Sequence, residues 1–251
     1  MSGHSKWATI KRKKGSLDAA RGKIFTRLTR ELSIAARLGG GDPNGNARLR
    51  KAISDAKGQQ MPGDKIDRAI RRGTGEIEGV SYDEVLYEGT GPGGTLFMIE
   101  GTTDNKNRTV AELRKIFDLH KGVLGSTGTA GWAFERRGML VLGHGATEEQ
   151  IMESAVEAGA QDYEDDGENW TVYTASDQLD LITGAVEKAK LEVVSSKLAY
   201  VPKTRKELRG RDAEVCLNLL EALDEHDDVS NTYGDFDVPE DELKRIAEAA
   251  G

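Results

Sequence analysis

One cysteine, five prolines and four histidines are all that this 251-residue chain carries of those types, and no apolar run is long. A single cysteine, Cys216, rules out an internal disulfide framework and suits a reducing cytoplasm. It lies in "AEVCLNLLEAL", where the helical apolar pattern makes it a small buried hydrophobe. No stretch approaches the roughly 20 apolar residues of a membrane span, so no membrane partner is expected. His4, His120, His144 and His226 are scattered, none beside another ligand at metal spacing, so no metal site is expected. "KGVLGSTGTAG" lacks the Gly-Lys-Ser/Thr ending of a phosphate loop and is not Gly-x-Ser-x-Gly. "GTGPGG" matches Gly-x-Gly-x-x-Gly formally, but a strand, "TLFMIEG", follows it in place of the helix that a pyrophosphate needs. These absences leave an enzyme without residues to work with and imply no small-molecule cofactor.

What the chain does have is charge, unevenly spread. Residues 1–75 hold 18 Lys and Arg against 6 Asp and Glu, whereas residues 76–251 hold 17 against 37. A net of −8 therefore hides a basic end joined to an acidic body, the arrangement of a nucleic-acid-binding module on a separate carrier. The opening "MSGHSKWATIKRKKG" has no apolar core of a signal peptide. Its Lys6, Lys11, Arg12, Lys13 and Lys14 can each displace a condensed counterion from a phosphate backbone. Trp7 among them offers a face for base stacking, or packs on the first helix.

Periodicity predicts a helix over 18–41, with Ile24, Leu28, Leu32, Ala35 and Ala36 on one face and Lys23, Arg27, Arg30 and Arg37 on the other. Two shorter helices follow, around Leu49–Ala56 and Ile66–Ile70, each expected to carry a basic outer face. From residue 81 the period changes to strands. "YDEVLYEG", "GTLFMIEG" and "GTAGWAFERRG" read as strands, with "NRTVAELRKIFDLHKG" as a helix. A βαββαβ series then begins at "GMLVLG", the ferredoxin-like order. The helix and strand missing before this series come after it. The fold class is therefore α+β in three domains. A basic helical nucleic-acid-binding domain spans 1–75, a discontinuous α/β domain spans 76–136 and 204–251, and a ferredoxin-like domain over 137–203 is inserted in it.

"TTDNKNRT" joins a strand to a helix. A turn and a helix cap, supplied by Asn107, explain Asp104, Asn105 and Asn107. Arg108 is explained less well, which makes these four a possible partner contact.

The segments "GHSKWATIKRKKG", "RGKIFTRLTREL", "GGGDPNGNARLR", "MPGDKIDRAIRRG", "YEGTGPGGTLFMIEGTTDNKNRT" and "GVLGSTGTAGWAF" closely resemble the YebC/PmpR family over nearly the whole chain. The resemblance implies a three-domain architecture with one α/β domain inserted in another. It implies one of two activities without a cofactor: a DNA-binding transcriptional regulator, or a ribosome-associated translation factor that contacts ribosomal RNA and aids synthesis of proline-rich stretches. The evenly spaced Lys and Arg of the first helix, with few amides to read base edges, tilt the balance toward RNA.

Overall fold

A computed structural model describes residues 17–249 of the chain, with side chains from residue 22 onward. Lys6, Trp7, Lys11, Arg12, Lys13 and Lys14 lie outside the described residues.

Among the described residues three helices come first: α1 (Leu17–Gly39), α2 (Ala47–Gly58) and α3 (Gly63–Gly73). Leu32, Ala35 and Ala36 of α1 pack against Leu49, Ala52 and Ala56 of α2 and Ile66 and Ala69 of α3. Ile24, read as part of this apolar face, is instead exposed, because the adjacent Phe25 takes the inward position against this core. The α1–α2 turn closes on Asn46, which accepts from Leu49 N at 3.0 Å and donates to Ala35 O at 2.7 Å. Small residues let α3 approach α1 closely. Ser33 Oγ reaches Ala69 O at 3.0 Å, and a Cβ on Gly73 would collide with the Ser33 carbonyl.

The second domain is built on β1 (Asp83–Thr90), β2 (Leu96–Thr103), α4 (Lys106–Leu119) and the short β3 (Val123–Leu124). Between β1 and β2 a single turn, Pro92–Gly94, uses left-handed φ of 67° at Gly93 and 70° at Gly94. The glycines of "GTGPGG" thus make a tight hairpin with a strand after it, as expected.

The third domain follows as β4 (Phe134–Gly143), α5 (Glu148–Ile151, continued by one wide turn over Met152–Val156), β5 (Asp162–Asp165), β6 (Asn169–Thr174), α6 (Leu179–Lys188) and β7 (Val193–Pro202). Its sheet order is β5-β6-β4-β7 and every pairing is antiparallel, the ferredoxin-like arrangement. Its core gathers Leu140, Leu142, Ile151, Trp170, Val172, Ile182 and Val186.

The chain then returns to the second domain through β8 (Lys206–Glu207), α7 (Gly210–Asp224), β9 (Val229–Gly234), β10 (Phe236–Asp237) and α8 (Glu240–Ala249). Strand β9 completes that domain's sheet, in the order β3-β1-β2-β9. Phe97, Ile99, Leu113, Phe117, Leu217 and Leu220 fill the core beneath it. Cys216 is fully buried there, and burial pushes its thiol up to about 11, which makes it inert.

One strand reading needs correction. "GTAGWAFERRG" and "GMLVLG" are not two strands, because β4 runs unbroken from Phe134 and pairs with β7 from Phe134↔Pro202 to Leu142↔Val193. The long β7 supplies a partner along the whole stretch, so no break is needed. The two sheets meet where Lys197 Nζ of β7 donates to Asn231 Oδ1 of β9 at 2.8 Å and Tyr200 packs edge-on against Tyr233.

The α1–α3 contact yields a prediction. Gly73→Ala should destabilise the protein by about 1–3 kcal/mol through overpacking, read as a lower denaturant midpoint. An unchanged midpoint would mean that the two helices sit further apart.

Candidate nucleic-acid interface

Lys23, Arg27 and Arg30 of the basic stripe of α1 are turned against the acidic body. Helix α7 ends at Asp224, leaving its last carbonyls without helical partners and with partial negative charge. Lys23 Nζ donates to Glu225 O at 2.7 Å, and Arg27 Nη2 donates to Asp224 O at 2.6 Å. Two cations of the first domain therefore cap a helix of the second. One α-helical turn further on, Arg30 Nη1 donates to Asp227 O at 2.7 Å and Thr102 O at 2.8 Å, and meets Asp228 Oδ1 at 2.9 Å. Arg37 is exposed and donates to Ser81 Oγ. Arg48 of α2 joins the same seam, with Glu31 and Glu84 each at 2.7 Å. This corrects the expectation of an outward basic face on α1. Its complement, "DEHDDV", lies some 200 positions away and becomes visible only in the fold.

Asp228 is the centre of the seam. Its carboxylate is 2% exposed and accepts from Thr109 Oγ1 (2.6 Å), Arg108 Nη2 (2.8 Å) and Thr103 Oγ1 (3.0 Å) as well as meeting Arg30. Burial alone would raise its pKa. The bonds from Thr109, Arg108 and Thr103 and the charge of Arg30 outweigh burial and bring it down to about 2.

This network absorbs most of the predicted partner contact. Arg108 bridges Asp104, at 2.8 Å, and Asp228. The helix cap is Asn105, not Asn107: Asn105 Oδ1 accepts from Arg108 N at 3.1 Å, because α4 begins one residue after it. Asn107 lies in the exposed first turn.

The sequence reading missed a cluster here. Glu112, His226 and Asp228 bring ligand-type atoms within 4.8 Å of one another. Their donors are already engaged. His226 Nδ1 accepts from Asp228 N at 3.1 Å, which leaves the proton on Nε2 for Glu112 Oε2 at 2.9 Å. The Asp228 oxygens hold two guanidinium groups, whose charge opposes a metal cation. The cluster is an ion-pair node, and nothing in the spacing of residues 112, 226 and 228 announces it. Above it opens a cleft of about 640 Å³, lined by Arg30, Tyr82, Arg108, Lys115, Leu119 and His226.

Among the described residues, the other exposed cations of the helical domain besides Arg37 lie on α2 and α3. Arg50, Lys51 and Lys57 on α2 and Lys65, Arg68, Arg71 and Arg72 on α3 are exposed. Neither helix contains Asn or Gln. The pairs Lys51–Asp55 (3.6 Å) and Arg71–Glu76 (3.3 Å) are exposed surface contacts that water and phosphate readily replace.

The fold is thus that of a three-domain protein, a basic helical head seated on an α/β body with a ferredoxin-like insertion. The model of the TACO1/YebC protein N-terminal domain matches residues 5–76, and that of the TACO1/YebC second and third domain matches residues 82–236. The chain belongs to the TACO1/YebC family. It is 50% identical to a probable transcriptional regulatory protein of Acidithiobacillus ferrooxidans, over 98% of both chains. It is 46% identical to another so named from Geobacter sulfurreducens, over 98% of this chain and all of that one. A crystal structure of a conserved hypothetical protein from Aquifex aeolicus superposes with a TM-score of 0.84 at 39% identity, covering 90% of this chain and 93% of that one.

A carboxylate whose pKa is depressed by folding stabilises the fold above its ordinary pKa near 4, and that contribution is lost as pH falls toward 2. Asp228→Asn should therefore cost about 2–4 kcal/mol at pH 7, with the gap to wild type narrowing from pH 4 downward in urea unfolding. A gap of constant size at pH 7 and pH 2.5 would contradict the Asp228 assignment.

Proposed function

We propose that this chain is a nucleic-acid-binding, non-enzymatic regulator of gene expression that works in the cytoplasm. The observation that carries this reading is the cationic surface left outward on α2 and α3 once Lys23, Arg27 and Arg30 of α1 are taken up by the acidic body. To those seven Lys and Arg side chains the sequence adds Lys6, Lys11, Arg12, Lys13 and Lys14, which lie outside the described residues. Each phosphate contact releases a counterion, so affinity depends steeply on salt. The regulatory names of the relatives support the same class of function.

Between the two nucleic acids, RNA is favoured. Sequence-specific DNA readers aim Arg, Asn or Gln at base edges from an exposed helix. Here α2 and α3 offer Lys and Arg without amides, a surface that tracks a phosphate backbone and reads shape. Together with the resemblance to the family, this supports a ribosome-associated factor that docks on ribosomal RNA and aids synthesis of proline-rich stretches. The acidic body would then project from the anchor toward a second site. The alternative is a DNA-binding transcriptional regulator using the same cations.

Co-sedimentation of the full chain with ribosomes, with duplex DNA as competitor at two salt concentrations, separates the two. Retention on the large subunit in excess DNA is expected, and Arg68→Glu with Arg71→Glu should weaken it about tenfold or more at moderate salt. Transfer of the protein to DNA, with a preference among promoters, would replace the RNA reading with the regulator reading.

A further inference from the structure

The loop between β3 and β4 is built around one buried carboxylate. Glu88 of β1 is 6% exposed and accepts from the amides of Ala130 (2.6 Å), Gly131 (2.8 Å) and Gly128 (3.0 Å). A fourth bond runs from Gly125 N to Glu88 O at 2.8 Å. Immediately downstream, Ala130, Ala133 and Phe134 are buried against Met98. The loop is therefore fixed at both ends by bonds and packing.

What this support holds out to solvent is an indole. Trp132 is 68% exposed, although the residues on either side of its short turn are packed. Its Nε1–H donates to Thr129 O at 3.1 Å, which ties back the polar edge of the ring and sets its orientation. An exposed tryptophan adds nothing to a core, and here a rigid frame presents one.

One lysine lies beside the indole, and a second follows it in the same segment and holds the β1–β2 turn. Lys203 Nζ donates to Trp132 O at 2.8 Å, and Lys206 Nζ donates to Gly93 O at 2.9 Å and Gly94 O at 3.0 Å. Both lysines are exposed. The two segments that cross between the α/β domains, 130–137 and 202–209, carry six Lys and Arg against two Glu, with Arg205 paired to Glu164 and Arg209 to Glu207 and Asp241. They do so within a body whose overall balance is 17 against 37. A protein partner docking on Trp132 would call for an apolar rim, whereas lysines and glycine-rich backbone suit a polyanion with a flat base.

We infer that Trp132 is a stacking platform for an unpaired base of single-stranded nucleic acid, with Lys203 facing an adjoining phosphate. This contact rests on the nucleic-acid-binding reading and adds to it a second site, on the body, for unpaired rather than duplex strands. Bases within a duplex are stacked already and offer no free face, so the site discriminates against duplex.

The test uses the full chain carrying Trp7→Phe, so that indole fluorescence comes from exposed Trp132 and buried Trp170. Short single-stranded RNA, the same sequence as DNA, and duplex RNA are titrated in parallel. Single strands should quench the emission. Trp132→Ala should weaken single-strand binding about fivefold or more, Trp132→Phe should keep most of it, and duplex binding should change by less than about twofold. Equal thermal melting of the variants checks that the fold is kept. Stronger quenching by RNA than by DNA assigns the site to RNA, and equal quenching assigns it to either strand. Single-strand binding that is unchanged in Trp132→Ala, or an equal loss for single strand and duplex, overturns this site while nucleic-acid binding stands. Absence of binding to any of the three probes overturns both.

Discussion

The contact between Arg30 and Asp228 decides how this molecule is put together. A carboxylate 2% exposed can stay ionised only if donors surround it, and four side chains from two parts of the chain do so here. Arg30 comes from the helical domain, Thr103, Arg108 and Thr109 from the β2–α4 connection, and Asp228 from the loop after α7. Removing any one of them leaves a buried charge short of partners, so the set is held as a unit. Its consequence is orientation: α1 lies with Lys23, Arg27 and Arg30 against the body, while the cations of α2 and α3 stay exposed.

The same logic recurs between the two α/β domains. Lys197 enters the boundary between their sheets, where burial lowers its pKa and the Asn231 amide oxygen and the Tyr233 ring receive its charge. Glu100 accepts from Asn231 Nδ2 at 3.1 Å and Tyr233 Oη–H at 2.9 Å, completing a polar strip beside the Tyr200–Tyr233 pair. Three domains are thus joined by polar, directional contacts, whose geometry is more selective than that of apolar patches. A nucleic acid held on α2 and α3 would consequently place the acidic body in a defined direction.

The sequence carried the fold class well because its signals are local. Apolar periodicity in the helices, the glycine turn at Gly93 and Gly94, and the βαββαβ order all arise within short windows. It was silent where the cause is long-range. The stripe Lys23, Arg27 and Arg30 looks the same whether it meets phosphate or the end of α7, and only the position of residues 224–228 settles which. Arg108 resisted a local explanation for the same reason, its main partner being 120 positions away. Trp132 was hidden differently. Apolar alternation around "AGWAF" reads as a strand, and the buried Glu88 that forces the preceding loop outward lies 40 or more positions upstream.

Arginine-specific chemical footprinting of the free and nucleic-acid-bound full chain tests this arrangement most directly. The account predicts that in the free protein Arg27 and Arg30 react slowly while Arg68, Arg71 and Arg72 react fast, and that binding protects only the latter three. Fast reaction at Arg30 in the free protein, or protection passing from α3 to α1 on binding, would contradict it. The basic stripe of α1 would then face the nucleic acid after all.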